Sequence, residues 1–377
     1  MGHHAPNRTL RVLFVAQTPP PVHGQSVMSE YFLQGEYSRI EIHHLRMAFS
    51  QEIEEVGRPG WGKVIQLFRL ILRIFVARFR LKPDVLYYPP AGPNLVPFLR
   101  DAVILIAVRW MFSRTVFHFH AAGLPDLYAR LPFPLKGIFR AAYNRPDVAI
   151  SISTGGLRDA RFLRARATRL VPNGIPDVEV TRPVRGRTDV PTILFLAMVC
   201  EEKGVGVVID ACKRLRAADV PFRCVVAGRA SSEDELCGLR DRAAELGDAL
   251  TFVGPVTGTA KWALFAEADV FCFPTYYASE SFGLVVVEAM MAGLPVVASD
   301  WRAIPEIVVD GETGFVVPVK DVEATANKLR CLLEDPGLRQ TMGRAARERY
   351  EENFRVEVFR RRMEEALLLA AEDESKA

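Results

Sequence analysis

The stretch Glu280-Ser281-Phe282-Gly283-Leu284-Val285-Val286-Val287-Glu288-Ala289-Met290-Met291-Ala292-Gly293-Leu294-Pro295-Val296-Val297-Ala298-Ser299 reads as a loop, a helix, a glycine stop and a strand. The same unit repeats upstream. Thr192–Ala197, Arg223–Ala227, Leu250–Val253 and Val270–Phe273 are further strand candidates, and Pro295–Ala298 closes the series. Helical segments such as Val207–Ala217 and Asp234–Leu246 separate them. Short strands that are apolar on both faces and alternate with helices belong in a parallel sheet covered on both sides. Residues 181–355 therefore read as one doubly wound domain.

The first half carries the same pattern. Leu10–Ala16 is an apolar run stopped by Pro19-Pro20-Pro21, and Asp84–Tyr88, Thr115–His120 and Asp147–Ser151 follow, each after a stretch with helical spacing. Residues 1–180 form a second Rossmann-like domain on this reading, with the polar segment Thr181–Thr188 as linker. The last helix, from Val356 to Ala371 within 356–377, is compatible with either domain, including a return to the N-terminal one. A chain of 377 residues with 49% apolar and 25% charged content is globular and longer than one core usually grows. Ligands of doubly wound sheets sit beyond the carboxyl ends of the strands, so the expectation is two such domains facing a central cleft that holds a shared site.

The net charge of +3 conceals an asymmetry of +10 over residues 1–180 against −7 over 181–377. A basic half points to an anionic partner, whether a membrane surface, a phosphorylated substrate or nucleic acid. Nucleic acid ranks last, because basic runs with interleaved aromatics are missing. The six cysteines contain no CxxC pair and read as reduced, mostly buried small hydrophobes. The opening residues lack the basic start and apolar run of a signal peptide, which points to a cytoplasmic location. Asn94–Phe112 is interrupted by Arg100, Asp101 and Arg109, so it is no membrane span. Trp61–Leu81 is apolar over most of its circumference, with Arg69, Arg73 and Arg80 within about 40° of one another at helical spacing. That pattern fits a helix resting on an anionic bilayer and equally a sheet-flanking helix with a solvated Arg stripe.

In the opening stretch, Gly283 and its neighbours start a helix whose free N–H groups and dipole favour an anion, a diphosphate being the obvious candidate. Glu280 precedes this helix and Glu288 lies more than a turn inside it, so the two carboxylates face different parts of one ligand and suit hydroxyl donors. Two glutamates eight apart are by themselves only surface carboxylates. Their flanks resemble the retaining glycosyltransferases of family 4, which have the two-Rossmann-domain GT-B architecture. The similarity rests on the Glu-x7-Glu signature at Glu280 and Glu288, on Gly293–Ser299, Ile304–Val308 and Asp310–Phe315, and on Val171–Ile175 and Glu202-Lys203-Gly204. It covers nearly the whole chain and is strongest from 190 to 350.

The resemblance implies a nucleotide-diphosphate sugar as donor substrate, no separate cofactor, and transfer to an acceptor hydroxyl with retention. It implies that Glu288 binds the donor ribose, that the Phe282, Gly283 and Leu284 backbone meets diphosphate and sugar, and that Glu280 faces the transferred sugar. Lys203 would neutralise the leaving diphosphate, since a fixed cation stabilises charge that develops as the glycosidic bond breaks. Gly24, where many members have a Gly-Gly loop, would admit the phosphates, while His23 is less certain. A family histidine approaching the sugar falls in His118-Phe119-His120-Ala121-Ala122-Gly123. Alternation along a strand puts both imidazoles on one side, so spacing does not choose, and His120 is favoured for its nearness to the turn. One departure stands out: Ala197-Met198 replaces the usual Gly-Arg pair, and Arg229 is a candidate substitute for the missing cation.

No Asp-x-Asp pair occurs, so the expectation is metal-independent catalysis with no metal site. The implied acceptor is a glycan or lipid-linked glycan of surface-polysaccharide assembly, reached by an enzyme that is cytoplasmic or peripheral on the inner membrane face. Rival readings are a sugar-nucleotide epimerase of the same fold and a non-catalytic nucleotide-sugar-binding protein. A nicotinamide dehydrogenase fails, because Gly204-Val205-Gly206 lacks its third glycine at Ile209.

Overall fold

A computed structural model describes residues 9–47, 61–180 and 190–372, and the 181–188 linker lies outside them. The chain divides into two compact units, one comprising Met1–Gly174 with Val356–Ala377 and the other Ile175–Arg355.

In the first unit β1 (Leu10–Ala16), β2 (Ile40–Arg46), β3 (Val85–Tyr88), β4 (Arg114–Phe119), β5 (Val148–Ser151) and β6 (Ala167–Leu170) form a sheet in the order β2-β1-β3-β4-β5-β6. Every pairing is parallel. Helices α1 (Gly24–Leu33), α2 (Trp61–Leu81), α3 (Leu95–Val108), α4 (Leu124–Arg130), α5 (Phe133–Tyr143) and α6 (Thr154–Phe162) make the crossovers. All four residues of β3 and of β5 are buried, as both-face covering requires. Strands β2 and β6 had no counterpart in the sequence reading. They are the sheet edges, where β6 has no buried residue and the apolar run that marks a central strand is missing.

Leu70 and Ile74 of α2, Phe98 and Leu105 of α3 and Phe139 and Tyr143 of α5 share one buried cluster with Phe117 of β4. Asp101 of α3 is fully buried beneath this layer. Its carboxylate accepts from Tyr88 Oη and the Ala91 N–H at 2.7 Å each and from the Arg100 guanidinium. A charge so deep persists because its lone pairs are filled.

In the second unit β7 (Thr192–Leu196), β8 (Arg223–Ala227), β9 (Leu250–Gly254), β10 (Val270–Phe273), β11 (Val296–Ser299) and β12 (Gly314–Val317) form a parallel sheet in the order β12-β11-β10-β7-β8-β9. Around it lie α7 (Val205–Ala217), α8 (Glu233–Ala243), α9 (Gly258–Glu267), α10 (Leu284–Met291), α11 (Ile304–Ile307), α12 (Val322–Glu334) and α13 (Pro336–Asn353). Side-chain caps from Ser232, Asp321 and Asp335 start α8, α12 and α13 by accepting from N3 amides. The strand order reverses between β7 and β10, the position where doubly wound sheets open a crevice.

The division between the units falls before Ile175, not after residue 180. The Ile175 N–H donates to Phe354 O at 2.9 Å, Tyr350 Oη donates to Ile175 O at 3.1 Å, and Arg347 pairs with Asp177 at 2.5 Å, so this strip is tied to α13. Helix α14 (Val356–Leu368) packs in the first unit, where Arg360 Nε donates to Tyr31 O at 2.8 Å and Glu364 accepts from the Arg39 N–H at 3.2 Å.

Candidate functional site

The reversal point of the second sheet is where the loops after β7 and β10 meet. After β7 the chain makes a single 3-10 turn, Glu201–Lys203, and stops it at Gly204 with φ 91°. A side chain at 204 would put Cβ 2.3 Å from Pro274 O, so glycine is what lets these two loops close on each other. They are joined by the Tyr276 N–H donating to Glu202 O at 2.8 Å. Lys203 Nζ consequently stands 2.6 Å from Glu280 Oε2, with the two side chains only 15% and 10% exposed. The ammonium also lies 4.5 Å from the Tyr277 ring centre and 5.7 Å from that of Phe273, so aromatic faces add to its stabilisation.

Gly283 precedes α10 in the left-handed region, φ 89° and ψ 55°, and its Cα faces Ile304, whose Cδ1 would lie 2.6 Å from an added Cβ. Leu284 is the first residue of α10, whose first N–H groups have no partner within the helix. Phe282 is buried edge-to-face on Phe354, 6.2 Å between ring centres, so its ring belongs to the core and only its backbone can serve a ligand. Glu288, one turn inside α10, is bound by Lys261 Nζ at 2.5 Å. Burial raises the Glu288 carboxyl above the usual range, and Lys261 opposes that rise. Sequence reasoning missed Lys261. Its signal was slight: it is the sole basic residue of α9 and precedes Trp262, over which it lies at 4.8 Å.

A cavity of about 400 Å³ opens beyond the carboxyl ends of β8 and β9, lined among others by Val199, Gly228, Arg229, Ser231, Phe252 and Pro255. The Val199 N–H donates to Arg229 O at 2.8 Å, which draws the loop carrying half-buried Met198 alongside this cavity. Arg229 thus borders a pocket next to the position where the sequence lacks its cation.

In the first unit His120 immediately follows β4 and is buried, its ring 4.1 Å from that of His118. Burial, and then His23, push the His120 pKa down to about 3, so the imidazole is neutral at physiological pH. His118 is anchored deeper: its Nδ1 lies 2.7 Å from Tyr87 Oη, and burial followed by the His120 ring holds its pKa well below the ordinary value. His118 Nε2 has no partner among the described residues. His23 caps α1, its Nδ1 accepting from the Ser26 N–H at 3.3 Å while Nε2 donates to Gln17 Oε1 at 3.1 Å. Those two bonds select one neutral tautomer, and burial lowers its pKa. Gly24 is the first residue of α1, directly after this cap. Among the described residues no group of three or more His, Cys, Asp or Glu is placed to hold a metal ion, and no helix is long and apolar enough to cross a membrane.

Comparison with known proteins places the chain in a family. The profile described as Glycosyl transferases group 1 matches residues 177–349. The phosphatidyl-myo-inositol mannosyltransferase of Mycolicibacterium smegmatis is 40% identical over 265 residues, 68% of this chain and 64% of that protein. The Mycobacterium tuberculosis protein of the same name is 35% identical over 281 residues, covering 71% of this chain and 70% of its own length. The chain thus spans slightly under two thirds of the first of these relatives. Among solved structures, sucrose-phosphate synthase from Thermosynechococcus elongatus superposes with a TM-score of 0.70 at 20% identity, covering 96% of this chain and all of that one. Anabaena Alr3699/HepE in complex with UDP gives 0.71 at 18% identity, with 95% and 100% covered. These likenesses show the GT-B fold of two Rossmann-like domains, and by the relatives' identity the chain belongs to the group 1 glycosyltransferases.

Proposed function

We propose that this protein is a retaining, metal-independent glycosyltransferase that moves a sugar from a nucleoside-diphosphate donor to a hydroxyl of a lipid-linked glycan. The observation that carries the proposal is the pair of cation–carboxylate contacts at one sheet's reversal point, Lys203 with Glu280 and Lys261 with Glu288, beside the start of α10. In this reading the donor diphosphate lies between Lys203 and the first N–H groups of α10, Glu288 accepts from the ribose hydroxyls, and Glu280 faces the sugar. Gly24 admits the phosphates at the start of α1. Neutral His120 offers a hydrogen bond to the sugar without adding charge.

As the bond from the anomeric carbon to the phosphate oxygen breaks, its electrons pass to the diphosphate, where Lys203 stabilises them. The acceptor oxygen bonds to the same face of that carbon, and its proton goes to the departing phosphate. No step calls on a metal, which agrees with a sequence lacking any Asp-x-Asp pair. Relatives named phosphatidyl-myo-inositol mannosyltransferases support a lipid-bearing acceptor, and in this proposal it is reached at the inner membrane face, in surface-polysaccharide assembly.

A thermal-shift panel of nucleotides and nucleotide sugars tests the donor half. A true donor at about 100 times its dissociation constant adds roughly 2.7 kcal/mol of stability. Release of the free nucleotide only when a lipid-linked acceptor is added tests the transfer. If no nucleotide sugar shifts the melting temperature, the reading fails.

A further inference from the structure

The outer side of the α2, α3 and α5 layer is apolar and basic at once. On α2, Phe68, Leu72 and Phe79 are 64%, 63% and 61% exposed, and they lie on one stripe at helical spacing. On neighbouring α3 the exposed residues Leu99, Val103 and Ile106 repeat the pattern, and Trp110 follows at 75%. At the start of α5, Phe133 is 90% exposed. Monomeric proteins seldom leave large apolar side chains grouped in this way without a use for them.

The charges on the same three helices are one-sided. They carry eight Lys and Arg, and their single acid, Asp101, is buried and already bonded. Arg69, Arg73 and Arg80 flank the apolar stripe of α2, and Arg73 and Arg80 also line a cavity of about 420 Å³ between α2 and the edge strand β2. A second copy of this chain would bring two basic faces together, which like-charge repulsion opposes. A surface that is both anionic and apolar a few ångströms deeper matches the pattern.

We propose that the α2–α3–α5 face is a membrane-docking surface that inserts its apolar side chains among the lipids of an anionic bilayer while the arginines engage headgroup phosphates. Docking by this face does not depend on whether the chain transfers sugars. It extends the basic-stripe expectation in one respect: burial of apolar side chains, not charge alone, holds the protein on the bilayer.

Flotation of the full chain with phosphatidylcholine vesicles, with and without phosphatidylglycerol, tests it. The wild type should float with the anionic vesicles. The triple variant Phe68→Gln/Leu72→Gln/Phe79→Gln should lose about tenfold or more in partition at low salt, and Arg69→Gln/Arg73→Gln/Arg80→Gln about 100-fold. All six positions are exposed, and circular dichroism establishes that the variants fold. Wild-type protein that ignores anionic vesicles at low salt overturns the proposal and leaves a protein partner as the occupant. So does an apolar variant that floats like wild type, or a wild-type dimer in sedimentation velocity that the apolar variant dissolves.

Discussion

Lys203 and Glu280 are 77 residues apart in the chain, yet their charged atoms are 2.6 Å apart, because each ends a loop that leaves the carboxyl end of a neighbouring parallel strand. The pair holds a cation beside the start of α10 before any ligand arrives. A donor that binds there need only share a lysine already in place, and charge that is fixed in advance needs no reorganisation during reaction.

Replacing that lysine should affect rate and stability separately. Lys203→Ala is expected to lower kcat about 10²- to 10³-fold, the usual cost of losing one donor to a developing anion. It also leaves the Glu280 carboxylate mostly buried without its partner, so unfolding in urea should show a loss of about 1–3 kcal/mol that Lys203→Ala/Glu280→Gln partly restores. Met198→Arg in the Lys203→Ala background should recover part of the rate. A folded Lys203→Ala enzyme with normal turnover would place leaving-group stabilisation elsewhere, with Arg229 next to test.

Glu288→Gln should weaken donor binding by roughly 10- to 150-fold, from one charge-assisted hydrogen bond of about 1.5–3 kcal/mol. Calorimetric titration with the donor measures this directly. The partner variant Lys261→Met makes a pH prediction. Burial already raises the Glu288 pKa, and removing Lys261 raises it further. A carboxyl whose folded pKa exceeds its unfolded value holds its proton longer in the folded state, so stability falls as pH rises through that interval. The variant should therefore lose more stability than wild type between acid and neutral pH, and parallel curves would show that Lys261 does not govern Glu288.

For His120 the sign is opposite. Its folded pKa of about 3 lies below the unfolded value of 6.5, so the unfolded chain binds more protons between these limits. Stability should drop as pH falls from 6.5 toward 3, by up to about 1.4 kcal/mol per pH unit, and His120→Gln should flatten part of that slope. His120→Ala should lower kcat with donor affinity little changed, whereas His118→Ala should chiefly destabilise the fold through the lost Tyr87 contact. The reverse outcome would reassign the histidine.

Gly283→Ala combines a positive φ of 89° with a Cβ 2.6 Å from Ile304 Cδ1. A loss of about 1–3 kcal/mol is expected on denaturation, together with weaker donor binding because the start of α10 must shift. Gly283→Ala/Ile304→Val should recover some stability by trimming the clash.

The alternation of apolar runs with helical segments was sufficient to identify two doubly wound sheets, since central strands such as β3 and β5 are buried on both faces and their composition says so. Of the four edge strands, β2, β6 and β12 escaped, because an edge has one neighbour and its half-exposed residues blur the pattern. Glu280, Glu288, Lys203 and His120 could be singled out by residue type, local spacing and family resemblance. Tertiary structure alone decided that Glu280 takes Lys203 while Glu288 takes Lys261, that Phe282 turns its ring into the core, and that Tyr87 ties down His118 rather than His120. It alone also exposed the outer faces of α3 and α5, which periodicity describes only as amphipathic or apolar. The physical reason is common to these cases: local sequence sets which face of an element is apolar, but which partner meets that face depends on strand order and loop closure between residues far apart in the chain.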